Sequence, residues 1–164
     1  MQFTGDLNKS DVEIAKENTN RGLSMHFKKN SLIPELSVKD LDKSLRFYTD
    51  ILEFKLEYKR EECKFAFLSF GTAQLMIEQV NETWKTGELC YPFGRGINFQ
   101  FIVEDSIQML SRLKKHNYPE FVPMEDNWYR VKDRLWGSRE FLVLDPDGYL
   151  LRFSQDLRFK DLSD

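Results

Sequence analysis

The chain has 164 residues, of which 41% are hydrophobic and 31% charged, and its formal net charge is -3. That size suits one sizeable domain or two small halves sharing a core, and the charge gives no electrostatic reason to expect nucleic acid, which needs a concentrated basic surface. No apolar run approaches a membrane span, residues 1–25 lack the apolar segment of a secretory signal, and Cys63 and Cys90 have no metal-ligand spacing. A cytoplasmic chain with two reduced thiols, no nucleic-acid partner and no membrane contact is therefore expected, with Lys28-Lys29 and Lys114-Lys115 as solvated edges.

Residues 1–30 are polar and read as an arm, either flexible or forming a short helix over Asp11–Asn18. From Leu32 the run LIPELSV alternates, with Leu32, Pro34, Leu36 and Val38 on one side and Ile33, Glu35 and Ser37 on the other. Pro34 places this strand at a sheet edge or near a strand start, because proline supplies no ladder donor. The period then changes to 3.6. Asp40 is positioned to cap a helix over Leu41–Ile51, whose Leu41, Leu45, Tyr48 and Leu52 form one stripe. Strands follow at Phe54–Arg60, Phe65–Phe70 and Ala73–Val80, the last placing Leu75 and Ile77 opposite Gln74, Met76 and Glu78.

Residues 81–95 form a connection carrying Trp84, Tyr91 and Phe93. Gly96–Val103 repeats the opening pattern, with Ile97, Phe99, Phe101 and Val103 opposite Asn98, Gln100 and Ile102. Asp105 then caps a helix over Ser106–Lys115 whose Ile107, Leu110 and Leu113 are expected to face the sheet. Phe121–Val122 reads as a short strand and Pro123–Leu135 as a polar, aromatic excursion. A hairpin closes the pattern: Arg139–Leu144, the turn Asp145-Pro146-Asp147-Gly148, and Tyr149–Ser154, which leaves Arg152 opposite an apolar stripe.

Strand–helix–strand–strand–strand thus occurs twice, which predicts an α+β fold of paired βαβββ modules. The expected divisions are an arm over 1–30, a first module over 31–80, a connection over 81–95, a second module over 96–157 and a tail over 158–164. Each module has one helix to cover one sheet face, so the other face is free to line a cleft.

VKDLDKSLRFYTDILEF at Val38–Phe54 and WGSREFLVLDPDGYLLRF at Trp136–Phe153, in this order around a duplicated unit, resemble the vicinal oxygen chelate superfamily. That group includes glyoxalases, extradiol dioxygenases, fosfomycin-modifying enzymes and bleomycin-binding resistance proteins. The resemblance implies paired βαβββ modules, commonly a homodimer, and a cleft between cupped sheets. Catalytic relatives place metal ligands on inward strand positions, which match Ile33, Met76, Asn98 and Arg152 here. Ile33 and Met76 offer no hard ligand, Asn98 is a poor one, and Arg152 brings a positive charge where a carboxylate would attract the metal. His26 and His116 do not repair the set. The resemblance therefore implies no metal, no other cofactor and no catalytic residue.

Bleomycin resistance proteins are the nearest pattern, and they imply non-catalytic binding of a small aromatic or heterocyclic ligand, with sequestration of a bleomycin-like antibiotic as one form. The runner-up is a divergent metal-dependent lyase, transferase or dioxygenase, and the third reading is a structural or protein-binding role. The expected ligand-binding residues are Glu35, Gln74, Glu78, Asn98, Gln100, Trp128, Tyr129, Trp136 and Arg152, with Arg139 making the pocket less acidic. Arg152 is expected to anchor an anionic or carboxamide oxygen, or to pair with Glu35 or Glu78.

Overall fold

The computed structural model describes residues 28–81, 83 and 85–162. The expected helix at Asp11–Asn18, most of the arm, His26 and Trp84 lie outside the described residues. Among the described residues, eight strands form two four-stranded sheets. In the first, β1 (Glu35–Val38), β2 (Lys55–Arg60), β3 (Phe65–Phe70) and β4 (Ala73–Gln79) run in the order β1-β4-β3-β2, with β1 parallel to β4. The second repeats this as β5-β8-β7-β6, using β5 (Asn98–Ile102), β6 (Val122–Val131), β7 (Arg134–Leu144) and β8 (Leu150–Asp161), with β5 parallel to β8. This is the paired βαβββ arrangement.

The two period changes mark the two helix starts. Asp40 accepts a hydrogen bond from the Lys43 N–H at 2.9 Å, opening α1 (Leu41–Arg46), and Asp105 accepts one from the Gln108 N–H at 2.9 Å, opening α2 (Ser106–Lys115). The first helix does not stay α to Ile51. It widens into a π turn over Phe47–Ile51, where Thr49 Oγ1 donates back to the Leu45 carbonyl at 2.9 Å and offers that oxygen a second donor. Phe47 and Tyr48 both turn inward there. On α2 the buried stripe is Ser106, Met109, Leu110 and Leu113, which follows the i, i+3, i+4, i+7 rule. Ile107 lies about 100° around from it and is 56% exposed, so Met109 takes the place expected for Ile107.

Pro123–Leu135 is not an excursion. Val122–Val131 pairs antiparallel with β7 and turns back at Lys132-Asp133, so β7 begins at Arg134 and β8 continues through Asp161, into the expected tail. Glu125, Asp126 and Asn127 are poor strand formers. Cross-strand partners supply what propensity lacks, since Asp126 lies opposite Arg139 and Tyr129 opposite Trp136. Pro123 sits at the bulge between Val122 and Glu125 on an edge strand, where its missing N–H breaks no ladder.

One core joins the modules. Leu36, Val38, Leu75 and Ile77 of the first pack in the same cluster as Phe101, Phe141, Val143, Leu151 and Phe153 of the second. Phe54 and Phe101 cross edge to face at 5.3 Å, and the Phe47 and Tyr118 rings are 4.7 Å apart. The closing turn bolts this core together. Asp147 accepts from the Lys39 N–H at 3.1 Å and from Ser44 Oγ at 3.2 Å, and Tyr149 donates to the Ser37 carbonyl at 3.1 Å. Asp145 accepts from the N–H groups of Asp147 and Tyr149 and, at 2.9 Å, from the Tyr48 hydroxyl. Gly148 adopts φ 87°, and an added Cβ would lie 2.5 Å from that of Pro92. Because both sheets give one face to the shared core, their other faces point away from it.

Candidate functional site

Those outward faces carry most of the expected ligand residues. On the first sheet, register aligns Glu35, Met76, Phe67 and Tyr58 in one row and Ser37, Glu78, Phe65 and Arg60 in the next. An open cavity of ≈ 420 Å³ lies over Glu35, Tyr58, Arg60, Phe65, Met76 and Glu78, bordered by Lys29, Cys63 and Thr83 and by no residue of the second sheet. Its floor is aromatic: Tyr58 stacks on Phe67 at 5.3 Å, and the Arg60 guanidinium sits 3.9 Å above the Phe65 ring. Partial burial, then a hydrogen bond with Glu78, raise the Glu35 carboxyl above its ordinary range. Gln74 lies on the same sheet, but its amide is already engaged. It accepts from the Asn30 N–H at 2.7 Å and donates to the Lys28 carbonyl at 2.8 Å, holding the incoming chain against β4.

The second sheet's outward face presents Asn98, Gln100 and Ile102 on β5, and Leu150, Arg152, Ser154 and Asp156 on β8. It continues with Leu142, Glu140, Ser138 and Trp136 on β7, and Asn127 and Tyr129 on β6. Gln100 and Arg152 are direct neighbours, and Asn98 lies beside Leu150 in the adjoining row. At the centre is Glu140, a buried carboxylate that composition and alternation did not single out. Its Oε1 accepts from the Tyr129 hydroxyl at 2.7 Å and Asn127 Nδ2 at 3.2 Å, and its Oε2 from Ser138 Oγ at 3.2 Å. Ser138 and Ser154 hydroxyls meet at 2.6 Å. The hydrogen bond to Glu140 is the main cause that raises the Tyr129 phenol above its ordinary value, ahead of burial.

The partner of Arg152 is therefore Glu140, at 3.5 Å from Nη1, and not Glu35 or Glu78, which belong to the other sheet. Arg139 is not in the pocket either. Alternation turns it to the opposite face, where Nε and Nη2 grip Asp126 at 2.7 and 2.8 Å. The aromatic trio also separates. Trp136 faces outward, crosses Phe159 at 4.5 Å and donates through Nε1 to Asp156, with Tyr129 as its cross-strand neighbour. Trp128 lies on the other side of the sheet, over Gly137 and beneath the Lys160 ammonium at 4.1 Å. Trp136 and the row holding Arg152 are six residues apart along β7, about 20 Å at strand rise, so only an elongated ligand would touch both.

The four positions that the resemblance matches to a metal site do not form a donor set. Ile33 precedes β1, Met76 lies opposite Glu35, Asn98 opposite Leu150, and Arg152 faces Glu140. Among the described residues no three His, Cys, Asp or Glu side chains converge on a point. These residues do not fit a divalent ion; the two outward faces present aromatic planes, amides and the guanidinium groups of Arg60 and Arg152.

Comparison with known proteins gives the same frame. The family model for the Glyoxalase/Bleomycin resistance protein/Dioxygenase superfamily matches residues 31–153. Bleomycin resistance proteins of Geobacillus stearothermophilus and Staphylococcus aureus are 30% identical over 132 residues, covering 77% of this chain and 96% of theirs. Among solved structures, TioX from Micromonospora sp. ML1 superposes with a TM-score of 0.60 at 22% identity, over 79% of this chain and 100% of that one. A glyoxalase/bleomycin resistance protein/dioxygenase from Alicyclobacillus acidocaldarius gives 0.56 at 20%, over 79% and 92%. With its duplicated βαβββ fold, its closing DPDG hairpin and these relatives, the chain belongs to the glyoxalase/bleomycin resistance protein/dioxygenase superfamily.

Proposed function

We propose that this protein binds and sequesters a small aromatic or heterocyclic compound without chemical turnover, in the manner its bleomycin-resistance relatives' name implies, with a bleomycin-like antibiotic as the leading candidate. The observation that carries this reading is the residue set at the superfamily's metal positions: Ile33, Met76, Asn98 and Arg152 exchange a Lewis-acid site for a surface of amides, a cation and rings. Glu35, Glu78, Asn98, Gln100, Tyr129, Trp136 and Arg152 line the two outward faces that would receive the ligand. A homodimer follows naturally, because a second copy can bring its second-module face over the first-module face and close a cleft that one chain leaves open.

Titration with bleomycin and a panel of heteroaromatic compounds, read by calorimetry and tryptophan fluorescence, tests the reading. Stoichiometric binding is expected, and Trp136→Ala is expected to weaken it by roughly 1–3 kcal/mol, the worth of one aromatic stacking contact. Sedimentation at tens of micromolar should give a dimer mass. Tight stoichiometric binding of Zn²⁺, Mn²⁺, Ni²⁺ or Fe²⁺ with turnover of a superfamily substrate would instead favour the metal-dependent enzyme.

A further inference from the structure

The second sheet holds an arginine that the fold positions without satisfying. Arg139 shows how a guanidinium is satisfied in this molecule: its side-on edge, Nε with Nη2, meets both oxygens of Asp126. Arg152 has no such partner. Its contacts within the protein are Nη1 to Glu140 at 3.5 Å and a hydrogen bond with the Tyr129 side chain, and its Nε is buried without a hydrogen-bond partner. Glu140 does not close the gap: its Oε1 accepts from Tyr129 and Asn127 and faces Nη1, its Oε2 accepts from Ser138, and neither oxygen meets Nε. Retaining such a donor in a folded protein is costly, and an outside acceptor removes the cost.

The neighbours of Arg152 define what that acceptor is. Gln100 stands beside it on β5 and Leu142 on β7, with Leu150 and Ile102 in the adjoining rows. Ile102 is 60% exposed. One guanidinium already facing a carboxylate suits a monoanion better than a dianion, and two parallel donors match the plane of a carboxylate. The exposed Ile102 and the half-buried Leu150 suit an apolar body behind that group. Resting on the binding reading above, we propose that Arg152 and Gln100 form a subsite for the carboxylate of an apolar or aromatic monocarboxylate, taken through the side-on edge of Arg152.

The test compares 2-naphthoate, its neutral amide 2-naphthamide and the cation 2-naphthylmethylamine by calorimetry. In parallel, the Arg152 Nε–H resonance is followed by nitrogen-15 NMR and assigned by its loss in Arg152→Lys. The expected result is at least tenfold tighter binding of 2-naphthoate than of 2-naphthamide, with the Nε–H resonance moving as 2-naphthoate is added. In Arg152→Met, checked for folding by urea denaturation, the preference should vanish. Equal affinities, a preference that survives Arg152→Met, or a stationary Nε–H resonance would overturn the subsite. Binding of the amide or the amine without 2-naphthoate would overturn it while leaving the binding reading intact. Failure of all three probes, of bleomycin and of the heteroaromatic panel would overturn both.

Discussion

Replacing Asp145 by Asn should make the protein's stability depend less on pH, and replacing it by Ala should destabilise it at every pH. Burial is the largest influence on this carboxyl and pushes it from 3.8 up to about 6, against the opposing pull of the Tyr149 and Asp147 N–H groups and the Tyr48 hydroxyl. The native state therefore holds a proton that the unfolded chain has released between those two values. Stability from this group is complete below 3.8, falls as pH rises through the window, and is level above about 6. The gap corresponds to roughly 3 kcal/mol. Asn keeps an oxygen for the two N–H groups and turns its amide to Tyr48, whose hydroxyl can accept, so it retains the geometry without the charge. Ala strands all three donors, at about 1–3 kcal/mol each. Urea denaturation of wild type and Asp145→Asn from pH 4 to 7.5 measures the difference, because the contributions of carboxyls away from Asp145 cancel. Relative to wild type, Asp145→Asn should gain roughly 3 kcal/mol across that range. A pH-independent difference, or one of opposite sign, would show that the three hydrogen bonds outweigh burial and would refute the reasoning.

Two further outcomes test the framework around the site. Gly148→Ala combines a left-handed φ of 87° with a Cβ 2.5 Å from Pro92, and should cost at least about 1–2 kcal/mol, read as a lower urea midpoint at unchanged slope. Asp126→Ala breaks a two-pronged pair with Arg139 whose side chains are 42% and 31% exposed; it should cost no more than about 1 kcal/mol, and less in high salt.

The alternation and the two aspartate caps were sufficient to place both modules, because a change of period from two to 3.6 is a local property that packing here reinforces. Gly148 and the turn before it were legible for the same reason. The β6–β7 hairpin was not. Its Glu-Asp-Asn run contradicts strand propensity, and only pairing with Arg139, Ser138 and Trp136 across the ladder holds it extended. That error had a cost at the site. Read as an excursion, Trp128 and Tyr129 could share a pocket; as consecutive strand residues they must point to opposite faces. Glu140 was hidden because its donors come from β6 and β7 at positions that only register brings together. The signal was nevertheless present, since Glu140 and Leu142 share a parity opposite to Phe141 and Val143.

The contacts of the closing turn span nearly the whole described chain. Asp147 bonds Lys39 across 108 residues and Ser44 across 103, and Asp145 bonds Tyr48 across 97. A first module emerging from the ribosome therefore has to wait for the last hairpin before its helix start is secured and its core face covered. Long-range closure of this kind slows folding and makes it cooperative, so the duplicated halves behave as one unit of inheritance: neither can be cut away, exchanged or lost without exposing the apolar face of the other.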